Sequence, residues 1–165
     1  MGTQKDNASS YNAGKKNEKD SEHYYNSLGY VKVTGAQRKI IALAYEKHFG
    51  IDPVKMGRGY DLITAQDAEE INNGKINSII NDMVLVELKT AGKKRRSPLK
   101  ENFNGMGFTA SSAEQYLANA LGEDKYKVLL VDLKMEEHLL TTMQNILSKA
   151  RCYPTLSVFI SEPLI

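Results

Sequence analysis

The sequence predicts an α/β fold, a mixed and largely buried sheet flanked by helices, and three observations carry that expectation. Two segments, "MVLVELKT" at 83–90 and "KYKVLLVDL" at 125–133, are dominated by Val and Leu, as strands covered on both faces are. Between them "SSAEQYLANALG" reads as a helix, with a serine cap, Glu114 in the first turn and Gly122 after the last. The full order is helix, strands, helix, strand, helix, strand, which is the pattern of layered α/β domains.

Residues 1–17, "MGTQKDNASSYNAGKKN", are polar and without hydrophobic period, the composition of a flexible arm. Residues 18–165 are then expected to form a single domain. A chain of 165 residues with 41% apolar content is long enough for one real core. In "EKDSEHYYNSLGY" the residues Tyr24, Tyr25 and Leu28 fall near helical spacing, and Gly29 ends the element. "YVKV" is a short strand. "AQRKIIALAYEKHFG" places Ile40, Ile41, Ala44 and Tyr45 on a helix that closes at Gly50. "GRGYDLIT" is a short strand led in by glycines, and residues 65–82 are a mostly polar connection. Beyond the second buried strand, "MEEHLLTTMQNILSKAR" reads as a helix with acids early and cations late, as the macrodipole favours. "TLSVFIS" is expected to be a last strand.

Composition excludes several classes. A net charge of +2 does not announce a nucleic-acid binder, so a basic surface must come from local clustering. One cysteine, Cys152, rules out an internal disulfide framework and a multi-cysteine zinc site. No apolar stretch reaches the length of a membrane span and no signal-peptide core is present, so a cytoplasmic protein with no membrane partner is expected. His23, His48 and His138 are scattered without metal-ligand spacing, and the pair Tyr24–Tyr25 reads as core packing. There is no Walker loop and no dinucleotide fingerprint.

The chemistry is expected where charges enter strands. Glu87 and Lys89 lie two apart in an aliphatic run, so both leave the same sheet face, with Val84, Val86 and Leu88 on the other. Leu85 shares the charged face, so that face is not simply solvent. Burying two charges is costly unless something compensates them. Upstream, "GYDLIT" offers Asp61 at a strand-like position. If the two strands are neighbours, Asp61 and Glu87 converge on one divalent cation. Magnesium takes one or two carboxylates and fills its shell with water and phosphate. A lysine beside it neutralises charge developing on phosphorus.

Asp61 of "GYDL", separated by 25 residues from Glu87 of "ELK", resembles the motif of the PD-(D/E)XK nuclease superfamily, the fold of most type II restriction endonucleases. The family's first acid falls on Asp61, its second on Glu87 and its lysine on Lys89. Tyr60 stands where the family name has proline. The element order over roughly 18–133 is similar to the family core, helix, three strands, helix, strand (αβββαβ). The resemblance implies a restriction-endonuclease-like fold, a magnesium-dependent endodeoxyribonuclease in which manganese can substitute, double-stranded DNA as substrate and a homodimer cutting one strand per subunit. It also implies a supporting acid on the first helix, for which Glu18 and Glu22 are the candidates, four apart on one helical face.

The run "KTAGKKRRSPLK" follows directly and holds Lys93, Lys94, Arg95, Arg96 and Lys100 with no acid, in a loop marked by Gly92 and Pro98. Such a loop contacts phosphates and fixes position without reading sequence. In "ENFNGMGFTASS", Asn102 and Asn104 are suited to adenine edges and the glycines to close backbone approach. Two alternatives stay open. One is a structure-selective or repair nuclease of the same fold. The other is a non-catalytic DNA-binding or scaffolding domain that keeps the fold, with the acids and lysine serving as an ion-pair array. Taken alone, Glu87 and Lys89 also read as a cross-strand ion-pair array on the exposed face of an antiparallel sheet.

Overall fold

The structure is a computed structural model that describes residues 16–17, 19–93, 103 and 106–149. The strand expected at 155–161, Cys152 and most of the polar arm fall outside these residues. Of the arm, only Lys16 and Asn17 are described, and both are helical.

The elements in chain order are α1 (Glu22–Ser27), β1 (Tyr30–Lys32), α2 (Gly35–Phe49), α3 (Pro53–Met56), β2 (Leu62–Thr64), α4 (Ala65–Asn72), α5 (Ile76–Ile79), β3 (Leu85–Ala91), α6 (Ser112–Lys125), β4 (Tyr126–Asp132), β5 (Glu137–Thr141) and α7 (Met143–Lys149). Five strands form one sheet in the order β1-β2-β3-β4-β5. β1, β2 and β3 run antiparallel in succession, β4 lies parallel to β3, and β5 returns antiparallel to β4. The parallel pair requires a crossover, and α6 supplies it. The protein is therefore mixed α/β, with helices flanking a five-stranded sheet.

Local chemistry explains most boundaries. α2 opens with a capping box, Thr34 Oγ1 accepting from Gln37 N while Gln37 Oε1 accepts from Thr34 N. It stops at Gly50, whose φ of 66° is the left-handed geometry a helix end favours. α6 is capped by Ser111, and its regular turns break at Gly122, where φ is 70° and ψ −173°. The polar connection at 65–82 contains two short helices, the first capped by Thr64.

One expected element is corrected. The helix read over 135–151 is a β-hairpin arm followed by a shorter helix. After β4, Asp132 Oδ1 accepts from Lys134 N and Met135 N, and Glu136 takes a φ of 57°. That tight turn sends Glu137–Thr141 back along β4, with Leu129 opposite Leu140 and Val131 opposite His138. The free edge of β4 offers a row of backbone partners, which outweighs helix propensity in "EHLLT". α7 starts only at Met143, after Thr142.

The sheet separates two apolar clusters. On one side Tyr25 of α1 packs with Leu62, Val86, Leu88, Leu129, Val131 and Leu133. On the other, Ile41, Tyr45, Tyr60, Ile63, Leu85, Leu117, Tyr126, Val128 and Leu130 form the larger core beneath α2 and α6. The alternation along β3 is as the sequence predicts: Val86 and Leu88 on one face, Leu85 on the other. No helix among the described residues is long and apolar enough to cross a membrane.

Candidate active site

β2 and β3 meet with Leu62 opposite Val86 in antiparallel register, and Asp61 is the residue just before β2 at this junction. The backbone of Asp61 is held on both sides, its amide donating to Val86 O at 2.9 Å and its carbonyl accepting from Val33 N at 2.9 Å. Its side chain turns toward β3, where Oδ2 accepts from Leu88 N at 3.2 Å. The preceding residue, Tyr60, is buried, with the Arg38 guanidinium over its ring at 4.4 Å and Arg38 Nη1 donating to its carbonyl at 2.7 Å. The chain entering Asp61 is thus fixed before the carboxylate is placed.

Glu87 is 5% exposed, on the same side of the sheet as the larger core. Its Oε1 lies 2.9 Å from Lys89 Nζ, and its Oε2 has no hydrogen-bond partner among the described residues. Lys89 makes a second ion pair, 2.8 Å to Oε2 of Glu114, and donates to Thr109 O at 3.2 Å. The Phe108 ring lies 5.5 Å from the ammonium. Burial at this depth removes the exposed-face ion-pair array as a description of the residues. An acid and an amine have been taken out of water together.

The electrostatics follow from that burial. Desolvation, then the negative charge of Asp61, pushes the Glu87 carboxyl up from 4.5 to about 8, with Lys89 opposing and Glu114 adding to the rise. For Lys89, burial works against the charge, but the carboxylates of Glu87 and Glu114 more than offset it and its pKa is raised. The phenol of Tyr126 is also raised, by burial first and then by Glu87, Glu114 and Asp61. Excess negative charge has gathered here with one cation to balance it.

Glu114 is the residue that sequence reasoning passed over. Ser111-x-x-Glu114 has the spacing of a capping box, and Ser111 Oγ does accept from Glu114 N at 3.2 Å. The glutamate side chain instead runs inward to Lys89 and is buried. What brings α6 so close is Gly59. A Cβ at that position would lie 2.7 Å from Ala113 C and 2.9 Å from Glu114 N, backbone atoms that cannot swing aside. Tyr126 Oη donates to Gly59 O at 2.6 Å from the other side. A glycine two residues before Asp61 therefore joins three parts of the site. Glu87 and Lys89 already balance in charge, so the strand itself carries no signal for a further buried acid, and only the tertiary packing reveals it.

The other expected residues divide plainly. Glu22 is exposed, on a helix that packs through Tyr25 against the opposite sheet face, and the charges acting on Glu87 do not include it. Glu18 lies outside the described residues. Lys93 is exposed just past β3. Lys94, Arg95, Arg96, Lys100, Asn102 and Asn104 lie outside the described residues. His48 Nε2 lies 3.0 Å from Asn77 Oδ1, and His23 stacks on Tyr24, so neither joins the acids.

The donor set suits a hard divalent cation: one carboxylate just before β2 and one on β3, the latter with an unpartnered buried oxygen and a raised pKa that a cation would relieve. No cluster of three or more His, Cys, Asp or Glu occurs as a ready cage among the described residues. A magnesium ion held here would draw the rest of its shell from water and phosphate. Compared with protein-family models, with curated proteins and with solved structures, the chain has no significant match.

Proposed function

We propose that this protein is a magnesium-dependent endodeoxyribonuclease hydrolysing phosphodiester bonds of double-stranded DNA, a type II restriction endonuclease of the PD-(D/E)XK kind, working as a cytoplasmic homodimer. One observation carries the reading. Asp61, the residue just before β2, is bonded through its amide to Val86 O and through its carboxylate to Leu88 N, the two neighbours of Glu87, and Glu87 is ion-paired to Lys89 two residues on.

Asp61 and Glu87 are the residues that would hold magnesium, or manganese in its place. When bound, the metal supplies Lewis-acid charge at a phosphate oxygen and lowers the pKa of a water. The chain's own groups do the rest. Lys89, with its raised pKa, stays protonated and so acts as a charge and a donor, not as a base. Its ammonium stabilises negative charge growing on the phosphoryl oxygens, an interaction strongest in the transition state. Phe108 and Thr109 cover the ammonium from the α6 side and limit its contact with water. The cations Lys93, Lys94, Arg95, Arg96 and Lys100 follow β3 in sequence and would grip phosphates flanking the cut, with Asn102 and Asn104 candidates for base contacts.

The test is supercoiled plasmid incubated with and without magnesium. Discrete fragments that require the metal support a restriction enzyme. Cutting confined to branched or damaged substrates moves the assignment to a repair nuclease. An intact plasmid under every metal condition leaves a non-catalytic domain and overturns the reading.

A further inference from the structure

The Lys89 ammonium lies among three oxygens: Glu87 Oε1 at 2.9 Å, Glu114 Oε2 at 2.8 Å and Thr109 O at 3.2 Å. Thr109 O accepts a hydrogen bond from the ammonium, while Glu114 Oε2, buried and without a hydrogen bond among the described residues, is held to it as an ion pair. The two carboxylates are not equivalent. Glu87 lies between Val86 and Leu88, whose backbone groups hold Asp61, and under the proposed function it must also serve a cation there. A carboxylate drawn to a hard divalent ion has less charge to offer a neighbouring amine. Glu114 carries no second duty. It belongs to α6, whose first turn is pinned by the Ser111 cap and by the backbone of Gly59 packed against Ala113 and Glu114. An anchored helix turn is a rigid support for a side chain that must hold another in place.

We propose that Glu114 is a positioning residue: it keeps the Lys89 ammonium over the site when Glu87 is committed to a divalent cation. The proposal rests on the nuclease reading and adds to it a division of labour between two acids. Glu87 serves the metal, Glu114 serves the lysine, and Thr109 O completes the lysine's cage. Without Glu114, metal binding would leave Lys89 with one backbone acceptor, free to swing toward Glu87 or out toward solvent. The ion pair that Glu114 makes is with Lys89, so the holding role has to run through Lys89.

That last point makes it testable by non-additivity. Glu114→Gln keeps the shape and removes the charge, and Glu114→Asp keeps the charge on a shorter arm. The variants are compared with Lys89→Ala and with Lys89→Ala/Glu114→Gln, in the full chain. With manganese alone and no DNA, the measurements are manganese affinity by calorimetry and melting temperature at saturating metal. With plasmid, the measurement is single-turnover cleavage.

Manganese affinity is expected to change far less in Glu114→Gln than the cleavage rate does. Its cleavage rate is expected to fall by tenfold or more with DNA affinity retained, and Glu114→Asp to recover part of the rate. In the Lys89→Ala background the same change is expected to cost nothing further, in rate or in melting temperature. Equal losses with and without Lys89, or a wild-type rate in Glu114→Gln, would overturn the proposal. A wild type that never cuts DNA would sink the nuclease reading separately. In that event the manganese melts decide: a Glu114→Gln shift that disappears without Lys89 supports the holding role, and one that persists overturns it.

Discussion

Along β3, Val86 and Leu88 face one way while Leu85, Glu87 and Lys89 face the other, and the two faces answer to different demands. The first packs against Tyr25, Leu129 and Val131 in a cluster with no charge in it. Every contact there lowers the free energy of the fold. The second starts apolar at Leu85 and then carries an acid that burial and Asp61 hold well above its ordinary pKa. One strand, alternating residue by residue, supplies both stability and a stored electrostatic cost. The lesson is that charge inside an aliphatic strand marks where stability has been given up, and active sites are where that is commonly done.

The largest effect expected from breaking this contrast is on cleavage. Lys89→Ala removes the ammonium and leaves both carboxylates, so metal and DNA affinity should persist while single-turnover cleavage falls on the order of a hundredfold or more. Glu87→Ala should lose cleavage and the response to metal together, because it removes a ligand. Metal titrations beside single-turnover assays separate the two. Wild-type rates in Lys89→Ala would count decisively against the charged face as a catalytic one.

The apolar face should respond in the opposite way. Leu129→Ala, opposite Leu88 and fully buried, is expected to cost about 2–5 kcal/mol of stability while cleavage per folded molecule is retained. Urea unfolding gives the first quantity and active-site-normalised rates the second. If Leu129→Ala slowed cleavage as much as Lys89→Ala, the division between the faces would be wrong.

How far these faces were legible in the sequence depends on the range of the signal. Val84, Val86, Leu88 and the pair Glu87–Lys89 follow from a two-residue period, and the structure keeps that alternation. Asp61 is legible from the glycine-led segment at 57–64, of which only Leu62–Thr64 is strand, and its amide bonds Val86 O beside Glu87. Glu114 was not found, since its local spacing is also that of a helix cap and only the close approach at Gly59 turns it inward. β5 was missed for a related reason: "EHLLT" has no strand signature of its own and is recruited by the edge of β4. Periodicity is local and readable, whereas a contact between distant segments depends on packing that the sequence pattern does not display.

A smaller effect should come from the metal itself. Any ligand bound only by the native state stabilises it, by about 2.7 kcal/mol when present at a hundred times its dissociation constant. Magnesium or manganese should therefore raise the melting temperature of wild type, and Asp61→Asn should reduce that response. Equal melts with and without saturating metal, in wild type and variant alike, would remove the cation from the account of why Glu87 is buried.

A pH dependence is expected as well, and its sign follows from the direction of one shift. Glu87 is raised from 4.5 to about 8 in the folded protein, so between those values the native state keeps a proton that the unfolded chain has released. Its contribution to stability is complete below about 4.5 and is lost as pH rises through about 8. Metal-free wild type should lose stability across that window relative to Glu87→Gln, which has no proton there to give up. A divalent cation competes with the same proton. Magnesium affinity should accordingly climb with pH, by at most about tenfold per unit, and level off once Glu87 has ionised. Calorimetric titrations at several pH values, in buffers of different ionisation enthalpy, would also count the proton released. Magnesium binding that releases no proton near neutral pH would mean that Glu87 is already ionised in the metal-free fold. The buried charged face would then carry less strain than its burial implies.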